Sequence, residues 1–409
     1  MAETPVRGGV HVVGVGADGW DGVPASLQAL VVEADVVVGG ERHLAMLPDR
    51  VAAERMAWPS PLRDALPGLV EAWDGRRVVV LASGDPYVAG IGTTLQDFVP
   101  ADRLVVHPAV SSVALARARM GWPAEAATVL RHAGELPRHA APGHRILLLS
   151  ADATTPGAVA RALVERGLGA SRLTALGHLG GADESRVEGV AADWDHAVPT
   201  LHVLAIEVVG RPAVAGLGWV AGLPDDAFDH DGQITKRDLR ASALARLAPT
   251  PGALLWDVGA GAGSVGIEWM RAHPTCRTVA VESHPDRVVR IARNAMRLGV
   301  PDLGVVQGRA PDALVDLPTP DAVFVGGGAT RDGVLEAAWE ALRPGGRLVV
   351  HAVTLETERV VVDWAARLGG ELTRVSVETA QPIGTFTGWT PARAVVQWAV
   401  TKSPKETVS

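Results

Sequence analysis

The run Asp257-Val258-Gly259-Ala260-Gly261-Ala262-Gly263 follows an apolar strand pattern over 253–258 and opens an amphipathic helix pattern over 264–272. Glycines let a backbone approach a ligand closely, and the start of a helix presents N–H groups that have no partner within it. Such a loop alone fits several nucleotides. Glu282 narrows the choice, because it ends the next strand pattern, 278–282, where a carboxylate can accept hydrogen bonds from both hydroxyls of an adenosyl ribose. A nicotinamide dinucleotide loop spaces its glycines Gly-x-Gly-x-x-Gly around a pyrophosphate, whereas Gly259, Gly261 and Gly263 alternate. Adenosylmethionine carries no phosphate, so the compact loop suits it, with 259–263 and Glu282 as cofactor contacts.

Two further loops sit where this chemistry needs them. Gln307-Gly308-Arg309-Ala310 follows the third strand pattern, where an adenine would lie. Gly326, Gly327 and Gly328 follow the fourth, where a methyl donor would meet its acceptor and where glycines leave room for a broad, flat substrate. The Asn/Asp-Pro-Pro-Tyr motif of enzymes that methylate exocyclic amines is absent there, which disfavours an N-methylating enzyme of nucleic acids. Lys236, Arg237 and Arg240 flank the cofactor entrance in sequence and could anchor carboxylates, Arg in a bidentate geometry. His351 and Glu356, at and beyond the fifth strand pattern, are candidates for handling protons, as is Lys236. His132, His139 and His144 read as surface residues of a Pro-rich loop rather than metal ligands, and no metal is assigned.

These residues need elements to position them. A chain of 409 residues is long enough for two domains, and 47% apolar with 21% charged residues is a globular balance. Val- and Leu-rich runs alternate with Ala-rich helical stretches, which predicts α/β architecture throughout. The strand patterns run from 11–15 through 36–38, 78–81 and 146–149 to 201–208. A Gly- and Pro-rich stretch over 210–222 separates a first domain, 1–209, from a second, 223–409, which opens on a helix over 237–247. At its end, β-rich runs over 371–379 and 394–400 predict an antiparallel hairpin closing the sheet, and 403–409 a solvated tail. The net charge of −8 opposes a nucleic-acid partner. Cys276, the single cysteine, permits no internal disulfide and reads as a small buried residue. No apolar run reaches the length of a membrane span and the first nine residues lack a signal-peptide apolar region, so the expected location is the cytoplasm, with no membrane partner.

The first half carries Val13-Gly14-Val15-Gly16-Ala17-Asp18-Gly19-Trp20, then Ser83-Gly84-Asp85-Pro86, then Pro108-Ala109-Val110-Ser111-Ser112. Singly these are turn formers and a helix cap. In this order they resemble the tetrapyrrole methylase superfamily, and the resemblance implies a two-lobed N-terminal fold in which Gly84, Asp85, Ser111 and Ser112 contribute to a folded adenosylmethionine site. The second half, through 222–236, 256–264, 320–328 and 345–356, closely resembles the decarboxylating precorrin methyltransferases, a Rossmann-like class I methyltransferase domain. Together the halves resemble the fused, two-module precorrin-6Y C5,15-methyltransferases (decarboxylating). That family implies methylation of the tetrapyrrole precorrin-6Y at carbon 5 by the first module, methylation at carbon 15 with loss of the ring-C acetate carboxyl by the second, and formation of precorrin-8 in cobalamin biosynthesis. It implies two adenosylmethionine sites per chain, the second contacting Thr235, 259–263, Glu282 and Ala310. A homo-oligomer is expected. Two other classes share parts of these features: a ribosomal-RNA methyltransferase, which the acidic balance opposes, and a nonenzymatic adenosylmethionine sensor, which only turnover distinguishes.

Overall fold

The computed structural model describes residues 9–210 and 218–403. The first eight residues, the stretch 211–217 of the expected connection and the tail from 404 onward lie outside the described residues. The described chain divides into two compact units, one of 9–133 with 139–210, the other of 134–138 with 218–403.

The first unit holds two five-stranded sheets. One is wholly parallel, in the order Glu54–Ala57, Val36–Gly39, Val78–Ser83, Val10–Val15, Leu104–His107. Its central strands are continuous apolar runs because both faces are covered. Val78 and Val80 pack with Leu66, Trp73 and Leu95, while Val79 and Leu81 pack with Val31 and Leu47 on the other face. The second sheet is mixed, in the order Thr128–Leu130, Arg145–Leu149, His202–Glu207, Arg172–Gly177, Ser185–Val190. The Pro-rich loop departs from expectation. His132 is exposed, but His139 is buried and its carbonyl accepts a hydrogen bond from His144 Nδ1 at 2.8 Å, while His144 Nε2 meets Thr128 Oγ1 at 3.0 Å.

The second unit is built on a seven-stranded sheet ordered Gly304–Gln307, Arg277–Glu282, Leu254–Val258, Ala322–Val325, Arg347–Ala352, Val395–Thr401, Glu371–Val375. The first five strands are parallel and the last two antiparallel. This is the doubly wound arrangement in which ligands bind beyond the carboxyl ends of the strands. The expected closing hairpin is divided: Glu371–Val375 pairs with Val395–Thr401, but a separate exposed hairpin, Glu378–Ile383 with Phe386–Pro391, is inserted between them. Cys276 is buried, as its apolar reading predicted.

Two buried charges organise this unit. Arg240 on the helix Arg237–Leu247 and Glu268 on the helix Ser264–Ala272 form an ion pair, Nε to Oε1, of 2.6 Å. Glu268 also accepts from the backbone N–H groups of Gly222, at 2.6 Å, and Leu223, at 3.0 Å. Arg240 donates in turn to the carbonyls of Leu223 and Thr235 and to Asp225 Oδ1. The expectation that Arg240 binds substrate therefore does not hold: its side chain is wholly buried, and its donors are taken up by Glu268, Asp225 and the carbonyls of Leu223 and Thr235.

Asp257 is another internal acid, 1% exposed. Its Oδ2 accepts from Gly266 N–H at 2.9 Å and ties the strand Leu254–Val258 to the following helix, while Oδ1 has no hydrogen-bond partner among the described residues. Burial pushes its pKa up to about 7, opposed by the Gly266 bond and assisted by the nearby Glu282 charge. A folded pKa above the unfolded value means that the folded protein retains a proton the unfolded chain releases. That contribution to stability is full below the unfolded pKa and is lost as pH rises towards about 7. Asp257→Asn should therefore gain stability relative to the parent by about 1.4 kcal/mol per pH unit between roughly pH 5 and 6.5 in the ligand-free protein. Denaturant unfolding of the second unit across that range checks this; parallel pH profiles for the two proteins would contradict it.

Candidate active site

A cavity of about 810 Å³ opens at the carboxyl ends of the parallel strands of the second unit. Its floor is made of loops without side chains. Gly259 has φ +71°, and a Cβ there would lie 3.0 Å from the Gly327 carbonyl oxygen, so the loops after Leu254–Val258 and Ala322–Val325 touch backbone to backbone. Gly261, φ +59°, approaches the carbonyl of Gln233 in the same way, at 2.7 Å. Gly259, Ala260, Gly261, Ala310 and Gly326 to Gly328 all line the cavity. Ala262 and Gly263 do not. Ala262 is buried in the core, with its carbonyl accepting from Asn294 Nδ2, and Gly263 caps the helix Ser264–Ala272 in a left-handed conformation against Ile291.

Glu282 ends its strand at the cavity wall with 5% of its surface exposed. Its Oε2 accepts from Gly261 N–H and its Oε1 from His284 N–H, both at 2.9 Å. A carboxylate has about four acceptor positions, so each oxygen keeps capacity for a ligand hydroxyl. The two backbone bonds also hold the glycine loop against the strand. An adenosyl group fits this donor and acceptor set: a carboxylate for a ribose diol beside a loop whose missing Cβ atoms leave space.

The cavity is polar elsewhere on its lining as well. Thr235 and Lys236 line it, with the Thr235 carbonyl held by Arg240 and Lys236 Nζ 3.6 Å from Asp225 Oδ2. Arg237 lines it too, and so do Arg309, Arg331 and Arg393, which were not singled out from the sequence as anion anchors. Their common destination arises only in three dimensions, since they come from four separate segments. None of these four arginines has an ion pair among the described residues, whereas of the acids on the lining Asp225 pairs with Lys236 and Glu282 lies 4.0 Å from Arg287. The cavity thus carries an excess of cations in a chain of net charge −8.

His351 lies on the cavity wall, 6% exposed, with its ring edge-to-face on Phe324. Gln397 Nε2 donates to Ser242 Oγ, which turns Gln397 Oε1 towards His351 Nε2 at 2.8 Å. Nε2 therefore carries the ring proton and Nδ1 is the basic atom of the neutral ring. Burial lowers the pKa of His351 and favours that neutral form. Glu356, expected to handle protons, does not line the cavity. It is exposed, away from the cavity, in the first turn of the helix Leu355–Leu368, where Thr354 caps the helix and hydrogen bonds from the Glu356 backbone and Thr354 hold its carboxyl below the usual range.

In the first unit the three expected segments do converge at the carboxyl edge of the parallel sheet. Gly84 N–H donates to the Val15 carbonyl at 2.9 Å, and the Gly84 carbonyl accepts from Ala109 N–H at 3.1 Å. A Cβ on Gly14 would lie 2.0 Å from the Gly84 oxygen, and one on Gly84, φ +54°, 3.2 Å from Ser111 Cα. Asp85 closes its own turn by accepting from Tyr87 N–H at 2.9 Å, and Ser111 caps the helix Ser112–Met120 through Ala114 N–H at 3.1 Å.

Comparison with known proteins accords with both halves. Residues 9–195 match the tetrapyrrole (corrin/porphyrin) methylases and residues 226–402 the precorrin methyltransferase domain. A precorrin-6Y C(5,15)-methyltransferase (decarboxylating) of Sinorhizobium sp is 48% identical over 396 residues, covering 96% of each chain. One of Mycobacterium tuberculosis is 43% identical over 398 residues, covering 96% of this chain and 100% of that one. A probable cobalt-precorrin-6B C(15)-methyltransferase (decarboxylating) of Pyrobaculum calidifontis is 35% identical over 181 residues, 42% of this chain and 92% of that protein. With an N-terminal tetrapyrrole methylase domain, a C-terminal methyltransferase domain and such identity along nearly its whole length, the chain belongs to the precorrin-6Y C5,15-methyltransferase (decarboxylating) family.

Proposed function

We propose that this enzyme methylates precorrin-6Y at carbons 5 and 15 and releases the ring-C acetate carboxyl as carbon dioxide, giving precorrin-8 in cobalamin biosynthesis. The observation that carries the reading is the cation-rich cavity beside a glycine loop and Glu282, which suits a polyanionic, flat acceptor next to an adenosyl methyl donor. We assign carbon 5 to residues 1–209 and carbon 15 with decarboxylation to 223–409, with 210–222 between them. The archaeal relative supports this division, since a protein matching 42% of this chain bears the carbon-15 and decarboxylating name alone.

Adenosylmethionine, when bound, supplies a methyl group on a sulfonium leaving group. The protein's part is positioning and charge. Glu282 would accept the ribose hydroxyls, Gly259 and Gly261 would let the donor lie against the backbone, and Thr235 and Ala310 would border it. Arg237, Arg309, Arg331, Arg393 and Lys236 would hold acetate and propionate groups, and 326–328 would face the macrocycle. Bringing carbon and methyl to roughly 3–3.5 Å in line accounts for much of the rate. For decarboxylation, the conjugated macrocycle accepts the electron pair left by carbon dioxide. Lys236 Nζ would return a proton to that carbon, and His351 Nδ1 would take one up; that both residues line the cavity supports these roles. In the first unit, Gly84, Asp85, Ser111 and Ser112 would border a second donor site. No described helix is long and apolar enough to cross a membrane. The charged, water-soluble reactants support action in the cytoplasm. The exposed Ile383, Phe386 and Trp389 of the inserted hairpin support association with further copies of the chain.

Incubation with precorrin-6Y and methyl-labelled donor should give a product carrying two added methyl groups and lacking one carbon dioxide by mass; recovery of unaltered precorrin would contradict the assignment. Calorimetry should find two donor molecules per chain. Glu282→Ala should weaken one of the two sites by roughly 1.5–3 kcal/mol through lost charge-assisted hydrogen bonds. One site per chain in a protein whose first unit is folded, or two unaltered sites in the variant, would refute the two-site reading.

A further inference from the structure

The first unit carries a polar cluster that the methyl-transfer reading leaves without a task. Arg42 and His43 lie on the short helix Glu41–Ala45 that follows the strand Val36–Gly39, and Ser83 ends the strand Val78–Ser83. The two strands pair in parallel, so all three residues stand at the carboxyl edge of the sheet, beside Gly84 and Asp85. Ser83 Oγ is 3.1 Å from His43 Nε2 and 3.0 Å from Arg42 Nη2, and Arg42 Nη2 is 3.3 Å from His43 Nε2. A guanidinium only donates, so His43 Nε2 is an acceptor and the ring is neutral, with its proton on Nδ1.

Among the described residues no carboxylate pairs with the cluster. Arg42 directs Nη2 at a hydroxyl and an imidazole, and its Nε and Nη1 hydrogens have no partner among the described residues. No carboxylate pairs with it there, although Arg63, Arg76, Arg77 and Arg103 of the same unit all meet one. Desolvation lowers the pKa of Arg42, and desolvation together with Arg42 lowers that of His43 to about 4. Both cationic forms would be favoured by an anion that the resting protein does not provide. Ligands of parallel sheets bind at this edge, and the Ser83 hydroxyl, placed between the two groups, fixes the guanidinium in advance.

We propose that Arg42 and Ser83, oriented by His43, form a carboxylate-binding subsite of the first unit that serves methyl transfer to carbon 5. It rests on the functional reading above. The carboxylate belongs either to the rim of the tetrapyrrole or to the methionine part of the donor, and the two sources are separable by experiment.

The test uses the full chain with precorrin-6Y and adenosylmethionine, comparing the parent with Arg42→Ala, Arg42→Lys and Ser83→Ala. Arg42→Ala should raise the KM for precorrin-6Y in carbon-5 methylation at least tenfold with a smaller change in kcat. Carbon-15 methylation and decarboxylation should continue, so that a product with one added methyl and no ring-C acetate carboxyl accumulates. Arg42→Lys should recover part of the loss. A tenfold weaker donor affinity by calorimetry, with the precorrin KM unchanged, supports the subsite and assigns the carboxylate to the donor. If Arg42→Ala does not fold, Ser83→Ala should shift the same quantity about threefold. A folded Arg42→Ala enzyme with both quantities unchanged, or one that loses both methylations equally, overturns the subsite alone. Parent enzyme that leaves precorrin-6Y unmethylated overturns the functional reading, and the subsite with it.

Discussion

The second unit depends on one buried ion pair, Arg240 with Glu268. Removing either partner would strand a charge in the core, a change of about 3–5 kcal/mol. Its role is local as well as energetic. The segment from Gly222 to Lys236 has only a short helical turn, Asp225–Ala227, yet it forms a wall of the cavity, and its backbone groups at Gly222, Leu223 and Thr235 are satisfied by these two side chains. The pair fastens that wall to the helix Ser264–Ala272, whose first turn adjoins the glycine loop. Glycine loop, cavity wall and core are thereby joined through these two side chains.

Close backbone approach is the second constraint, and the two units use it in the same way. In one, Gly259 meets Gly327; in the other, Gly14 meets Gly84 and Gly84 meets Ser111. Each contact brings backbone segments together at the carboxyl edge of a parallel sheet, at distances that crowd any Cβ. Around these backbone floors the side chains supply charge: Glu282 and a set of arginines in the second unit, Arg42 and its neighbours in the first.

Much of this was legible in residue order, for physical reasons. A glycine loop between strand and helix, followed by an acid at the next strand end, has local spacing that survives folding unaltered, so Gly259, Gly261 and Glu282 stand where their pattern placed them. Arg240 was not legible. It lies three residues from Arg237 on the helix face that buries Leu239, Ala243, Leu244 and Leu247, and Glu268, on another helix, supplies the partner that lets one arginine be buried while the other lines the cavity. Glu356 follows the fifth strand closely in sequence, but the Thr354 cap turns the chain into a helix that carries the carboxyl away from the cavity. Arg331 and Arg393 converge from distant segments, and no local pattern announces such a meeting. The inserted hairpin escaped because its residues continue the β-rich composition of the strands on either side.

On the proposed function, one chain holds two separable reaction centres, the second joining methyl transfer to decarboxylation. The most direct measurement takes residues 222–409 as a separate protein, verifies its fold by circular dichroism, and follows the mass of precorrin-6Y incubated with it and adenosylmethionine. The expected product carries one added methyl group, at carbon 15, and has lost one carbon dioxide. Methylation without decarboxylation, with carbon dioxide released only when the first unit is restored, would contradict the proposed function.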